Sequence, residues 1–172
     1  MMTETRPHTR QLPMLFTETV YESLLHMGVP RETRYVRSAR NAVNNVLQPL
    51  HSDPSFHDDL LLAFGEACNN AILYGDGESD DQVYVTCRLR RDRTRRAKSI
   101  QIEIRNAGAP TWSSLPSHSY SMPDPDDLGG HGRGLPLMRM LTDRVDIYAD
   151  KGDTVVRLTK HFPVPHCFQR TP

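Results

Sequence analysis

Leu60-Leu61-Leu62-Ala63-Phe64-Gly65-Glu66-Ala67-Cys68-Asn69-Asn70-Ala71-Ile72-Leu73-Tyr74 is an apolar run broken by one acid and two amides. Drawn as a helix, it places Leu62, Glu66 and Asn70 on one stripe, because residues four apart face the same way. An acid and an amide one turn apart, among apolar or small neighbours, are costly to bury without a partner. A divalent metal carrying phosphate oxygens would satisfy both. Downstream, Gly129-Gly130-His131-Gly132-Arg133-Gly134-Leu135 is a glycine-rich loop opening onto a second helix. An acidic helix and a phosphate-cradling loop together predict a nucleotide site.

Working outward, the chain alternates between periodic segments and breakers. Phe16 to His26 is apolar enough for a strand with imperfect alternation. Pro30 is expected to start a helix in which Val36, Ala39, Val43, Val46 and Leu50 recur at three- and four-residue steps. Pro49 and the turn from His51 to Ser55 end it. The helix carrying Glu66 stops near Gly75-Asp76-Gly77. Val83, Val85, Cys87 and Leu89, then Ile100, Ile102 and Ile104, show strand alternation on either side of a basic turn, Arg90 to Lys98. From Ala107 to His131 there is no periodicity, and four prolines discourage any. A loop of that length in a compact domain is usually functional, so 107–131 is expected to be a lid. A short helix, Leu135 to Thr142, tolerates Pro136 in its first turn. Arg144–Ala149 and Thr154–Lys160 are expected to form a hairpin. The order strand, helix, helix, strand, strand, lid, helix, strand, strand predicts an α+β two-layer sandwich. Its sheet is mixed and mostly antiparallel, with three helices on one face.

The 172 residues are long enough for one domain, expected at 13–161 between a loose segment 1–12 and a tail 162–172. Formal net charge is zero and the pI about 7.1, so no global pull toward nucleic acid or membrane is expected. The basic run Arg88 to Lys98 has no interleaved aromatic residue and reads as a solvated turn rather than a nucleic-acid surface. No leader pattern opens the chain and no stretch has the length of a membrane span. The three cysteines, Cys68, Cys87 and Cys167, are odd in number and unpatterned, which suits reduced thiols in a cytoplasmic protein. The eight histidines show no zinc-ligand spacing.

Three motifs in order, Glu66…Asn70, Asn106-Ala107-Gly108-Ala109-Pro110 and Gly130–Leu135, resemble the GHKL ATPase superfamily. Within it, the compact chain is similar to the anti-sigma-factor serine/threonine kinases of bacterial partner-switching systems. Their helix motif E-A-x-x-N-A is matched from Glu66 to Ala71, and their G-x-G-L helix start by Gly132-Arg133-Gly134-Leu135. Thr154 with Val156 stands in their closing G-T-x-V strand. The resemblance covers Val29 to Lys160. It implies that Asn70 coordinates Mg²⁺, an ion that prefers oxygen ligands, and that Glu66 is the general base. It implies that Gly130, His131, Gly132, Arg133, Gly134 and Leu135 hold the ATP phosphates. Asn106, Gly108 and Thr154 would face the adenine. The implied partners are a sigma factor or similar target, a small antagonist phosphorylated on serine, and a second copy of the chain in a homodimer. Tyr35, Arg37 and Arg40 would lie in the docking region.

One departure matters. The base-reading motif of the family is D-x-G-x-G, and Asn106 stands in place of its aspartate, with Pro110 in place of its last glycine. A neutral amide accepts more weakly from the exocyclic amine of adenine than a carboxylate does. Two functions follow: an ATP-dependent protein kinase, or a degenerate domain that switches partners without nucleotide. The ATPase core of a sensor histidine kinase is disfavoured, because the chain has no dimerisation helices carrying a phosphoacceptor histidine.

Overall fold

The computed structural model describes residues 20–50, 53–75, 82–108 and 134–163. The expected loose segment 1–12, the lid from residue 109 onward and the tail from residue 164 lie outside these. Five strands, β1 (Val20–Pro30), β2 (Gln82–Arg91), β3 (Ala97–Asn106), β4 (Arg144–Asp150) and β5 (Asp153–His161), form one sheet in the order β1-β2-β3-β5-β4. Every neighbouring pair is antiparallel, so the expected admixture of parallel strands is absent from the described sheet. Helices α1 (Val36–Leu47), α2 (Pro54–Tyr74) and α3 (Gly134–Leu141) cover one face.

Alternation decides which side of each strand is dry. Val83, Val85, Cys87, Ile100, Ile102, Ile104, Val156 and Leu158 join Val43, Leu47, Leu60, Phe64, Ala67, Cys68 and Met138 from the helices in a single core. The opposite face is polar. There Glu103 pairs with both Arg88 (3.1 Å) and Arg157 (2.7 Å), while Arg105 pairs with Asp150 and Asp153.

Two expectations about the first elements are corrected. The opening strand runs further than His26, to Pro30, and its weak alternation has a local cause: a register shift between Ser23 and Leu25 in its pairing with β2. A bulge of this kind adds one residue to a strand and breaks the two-residue period. Pro30 ends this edge strand rather than starting a helix, a place where a missing N–H costs little. A 3-10 turn at Thr33–Tyr35 follows, and α1 begins at Val36. The β2–β3 connection is also tighter than expected. Asp92 accepts bonds from Thr94 N, Thr94 Oγ1 and Arg96 N, so only residues 92–96 lie outside the strands.

Candidate functional site

Helix α2 starts cleanly. Asp53 caps it by accepting from Ser55 N at 2.9 Å, with Pro54 in its first turn. Phe64, Ala67, Cys68 and Ala71 bury its core side, whereas Leu62 is 41 % exposed and Glu66 and Asn70 are half-buried on the other stripe. That stripe faces the first residue of α3. A Cβ built on Gly134 would stand 3.0 Å from Asn70 Nδ2, 3.3 Å from Glu66 Oε2 and 3.6 Å from Asn70 Oδ1. The last glycine of the expected phosphate loop therefore lies directly on the acid–amide pair, which a larger residue would crowd. Leu135 packs against the core beside it and fixes where α3 begins. The other loop residues named from sequence, Gly130, His131, Gly132 and Arg133, lie outside the described residues.

The second cluster forms at the end of β3. Antiparallel register sets Asn106 opposite Thr154. Both are buried, at 5 % and 4 % exposure. Thr154 Oγ1 donates to the Gly108 carbonyl at 2.7 Å, and Gly108 has φ +96°, a conformation that side chains disfavour. Asn106 Nδ2 donates only a long 3.5 Å bond to the adjacent Ala107 carbonyl. Gly75, the C-cap of α2, closes on this amide. A Cβ there would overlap the Arg31 guanidinium and lie 2.5 Å from Asn106 Nδ2 and 2.7 Å from the Ala71 carbonyl oxygen. Arg31 Nη2 in turn donates to that carbonyl at 3.4 Å. Arg31 and Gly75 were not singled out in the sequence as site residues. No motif marks Arg31; its place beside Asn106 comes from where β1 ends.

Tyr35 packs against the core, and Arg40 runs beside Gly65 of α2, its Cδ 3.5 Å from where a Cβ on that glycine would stand. Arg37 and Arg40 line a cavity of about 240 Å³ with Asn41, Asn44 and Leu61, on the side of α2 facing α1. Among the described residues, no three His, Cys, Asp or Glu side chains are grouped to hold a metal. A cation here would depend on Asn70 and on oxygens brought by a ligand. Cys68 and Cys87 are free and buried, and burial pushes both thiols up to about 12, so neither is a nucleophile at neutral pH.

Residues 29–160 match the family model of the histidine kinase-like ATPase domain. The serine-protein kinase RsbW of Bacillus velezensis is 27% identical over 143 residues, covering 80% of this chain and 84% of that protein. The serine-protein kinase RsbW of Bacillus pumilus is 29% identical over 145 residues, covering 80% and 85%. Among solved structures, one of the RsbU and RsbW domains of a Mycobacterium tuberculosis protein superposes with a TM-score of 0.56 at 19% identity. It covers 81% of this chain and 33% of that longer one. A chain of the SiaB–SiaC complex from Pseudomonas aeruginosa superposes with a TM-score of 0.53 at 16% identity, covering 80% and 89%. These two likenesses are of fold.

Proposed function

The chain belongs to the histidine kinase-like ATPase domain family, and on that premise we propose that it is a serine/threonine protein kinase of the anti-sigma-factor type. It takes Mg–ATP, holds a sigma factor or similar target, and phosphorylates a serine on a small antagonist protein. The observation that carries this reading is the seat of Glu66 and Asn70 against Gly134. It gathers a base, an oxygen ligand and a helix N-terminus at one point.

The residues fit the group they are proposed to hold. Asn70 offers an amide oxygen to Mg²⁺, and the α3 N-terminus with its preceding glycines offers N–H donors to phosphate. The buried Asn106 amide, with its one long bond to Ala107, and the Thr154 hydroxyl would serve the base. Bound Mg–ATP supplies the transferable phosphoryl group. Glu66 takes the proton from the attacking serine hydroxyl, a contribution of about 10²–10⁴ in rate. The similarity to proteins named serine-protein kinase RsbW supports the same reaction class. Partner binding and homodimerisation rest on the family resemblance.

The alternative, a nucleotide-independent partner-switching module, is favoured by one observation, Asn106 in place of the base-reading aspartate. Calorimetric titration with ATP, with and without Mg²⁺, separates the two. Magnesium-dependent binding that weakens in Asn70→Ala supports the kinase. No binding up to millimolar nucleotide leaves the module. In the kinase, Glu66→Gln should lower basal nucleotide hydrolysis by about 10²–10⁴ while leaving nucleotide affinity within a few-fold. An unchanged rate removes Glu66 from the role of base.

A further inference from the structure

We propose that Arg105 is a positioning residue for the base end of the nucleotide site. From the outer face of the sheet its guanidinium grips the β4–β5 turn, and through Thr154 it sets the Gly108 backbone that would face the base. This rests on the nucleotide-site reading above and adds what holds that end in place.

Arg105 directly precedes Asn106 on β3, so alternation puts the two side chains on opposite faces of the sheet. Asn106 is buried on the helix side, and Arg105 is half-buried on the polar side. There its Nη1 donates to the Asp150 carbonyl and to an Asp153 carboxylate oxygen, both at 3.1 Å, and its Nη2 donates to the Asp150 carboxylate. Asp150 and Asp153 are paired across the hairpin, so one guanidinium holds both flanks of the Lys151-Gly152 turn. A planar fork of five N–H donors suits a carbonyl and two carboxylates at once; an ammonium offers no such fixed plane.

The turn needs that hold. Lys151 has φ +55° and Gly152 φ +91°. Tight hairpins of this form take two left-handed residues, and asparagine or glycine accepts the first place more readily than lysine does. Asp153 leads straight into Thr154, whose hydroxyl donates to the Gly108 carbonyl at 2.7 Å. That bond holds a residue at φ +96° just past Asn106. The links thus run from the guanidinium to the turn, from the turn to Thr154, and from Thr154 to Gly108.

The same face supplies a control. Arg88 pairs with Glu103 at 3.1 Å. It is the same kind of partly solvated pair, set in the middle of the sheet rather than at the turn. Such pairs add little to global stability. Loss of either should leave the fold standing, and only loss of Arg105 should reach the nucleotide.

The test is calorimetry of the full chain with Mg-ATP and Mg-ADP, together with kcat and KM for ATP hydrolysis. Arg105→Gln should weaken both nucleotides about tenfold, because they share the base end, and raise KM while leaving kcat within about twofold. Arg105→Lys should recover part of the loss, and Asp153→Asn, a milder cut of the same clamp, should weaken binding by less. Arg88→Gln should bind like the wild type. Thr154→Val should weaken binding by itself, and adding Arg105→Gln should cost no more than about twofold further, since residues acting through one link are not additive. Full additivity with Thr154→Val overturns the inference, as does a loss in Arg88→Gln equal to that in Arg105→Gln, or a fall in kcat with KM unchanged. If Arg105→Gln and Asp153→Asn both bind like the wild type, the inference falls and the nucleotide site stands. If the wild type binds neither nucleotide, the parent reading fails and takes this one with it.

Discussion

At the scale of single residues, one glycine and two cysteines carry more than their chemical type suggests. Gly134 leaves a methyl group only a tight fit: Asn70 Nδ2 would be 3.0 Å from it and Glu66 Oε2 3.3 Å. Gly134→Ala should therefore weaken Mg-nucleotide binding by at least about tenfold, because the acid–amide pair must shift by a few tenths of an ångström and site geometry is unforgiving. Calorimetry on a variant with unchanged far-UV circular dichroism checks it, and unaltered affinity would show that the pair can give way freely. The buried thiols of Cys68 and Cys87 are the second case. Burial holds each near 12, above the 9.0 of an exposed thiol. Between those values the unfolded chain has lost protons that the folded chain keeps, so stability must fall as pH rises from about 9. Each thiol contributes up to about 1.4 kcal/mol per pH unit. Urea midpoints measured from pH 8 to pH 10.5 should decline, and Cys87→Val should decline less steeply than the wild type.

At the scale of elements, the legible parts were those whose pattern is local. β2 alternates from Val83 to Leu89 and β3 from Ile100 to Asn106, and α2 shows its cap, its apolar side and its glycine stop in sequence order. β1 was harder to read, since its bulge at Leu24 breaks the period and its edge position leaves Val20 and Tyr21 exposed. Pro30 suits either a helix start or the end of an edge strand, and only pairing with Gln82 in β2 decides which. Contacts between elements were not legible at all. Lys160 near the end of β5 donates to the Leu141 carbonyl at the C-terminus of α3 (2.7 Å) and pairs with Asp59 of α2 at 3.0 Å. Its ammonium also lies 5.6 Å from the Phe56 ring centre. One side chain thus ties α3, whose other end is the proposed phosphate site, to α2 and the sheet. Lys160→Met should cost about 1–3 kcal/mol, mostly by leaving the α3 carbonyl without its charged donor. Asp59→Asn should cost less than about 1 kcal/mol, because the carboxylate is partly solvated. Urea unfolding of both variants measures the difference, and equal costs would place the stabilisation in the ion pair.

At the scale of the whole molecule, the proposed site belongs to no single layer. Glu66 and Asn70 come from α2, Gly134 opens α3, Asn106 ends β3, and Thr154 stands opposite it on β5. The order of motifs along the chain made most of this set legible. Arg31 was not legible because its neighbourhood depends on the bulged edge strand that precedes it. A ligand spanning these elements binds the folded chain and not the unfolded one, so it must raise global stability. With nucleotide at about one hundred times its dissociation constant the gain is roughly 2.7 kcal/mol. For a chain of this size each kcal/mol moves the midpoint by about 2–4 °C, so Mg-nucleotide should raise Tm by roughly 5–10 °C. Asn70 is half-buried and lies off the core side of α2, so Asn70→Ala should keep the fold and lose the magnesium-dependent part of that rise. A full shift retained in Asn70→Ala would move the cation to other ligands. No shift in the wild type with any purine triphosphate would leave a folded domain whose partners are proteins alone.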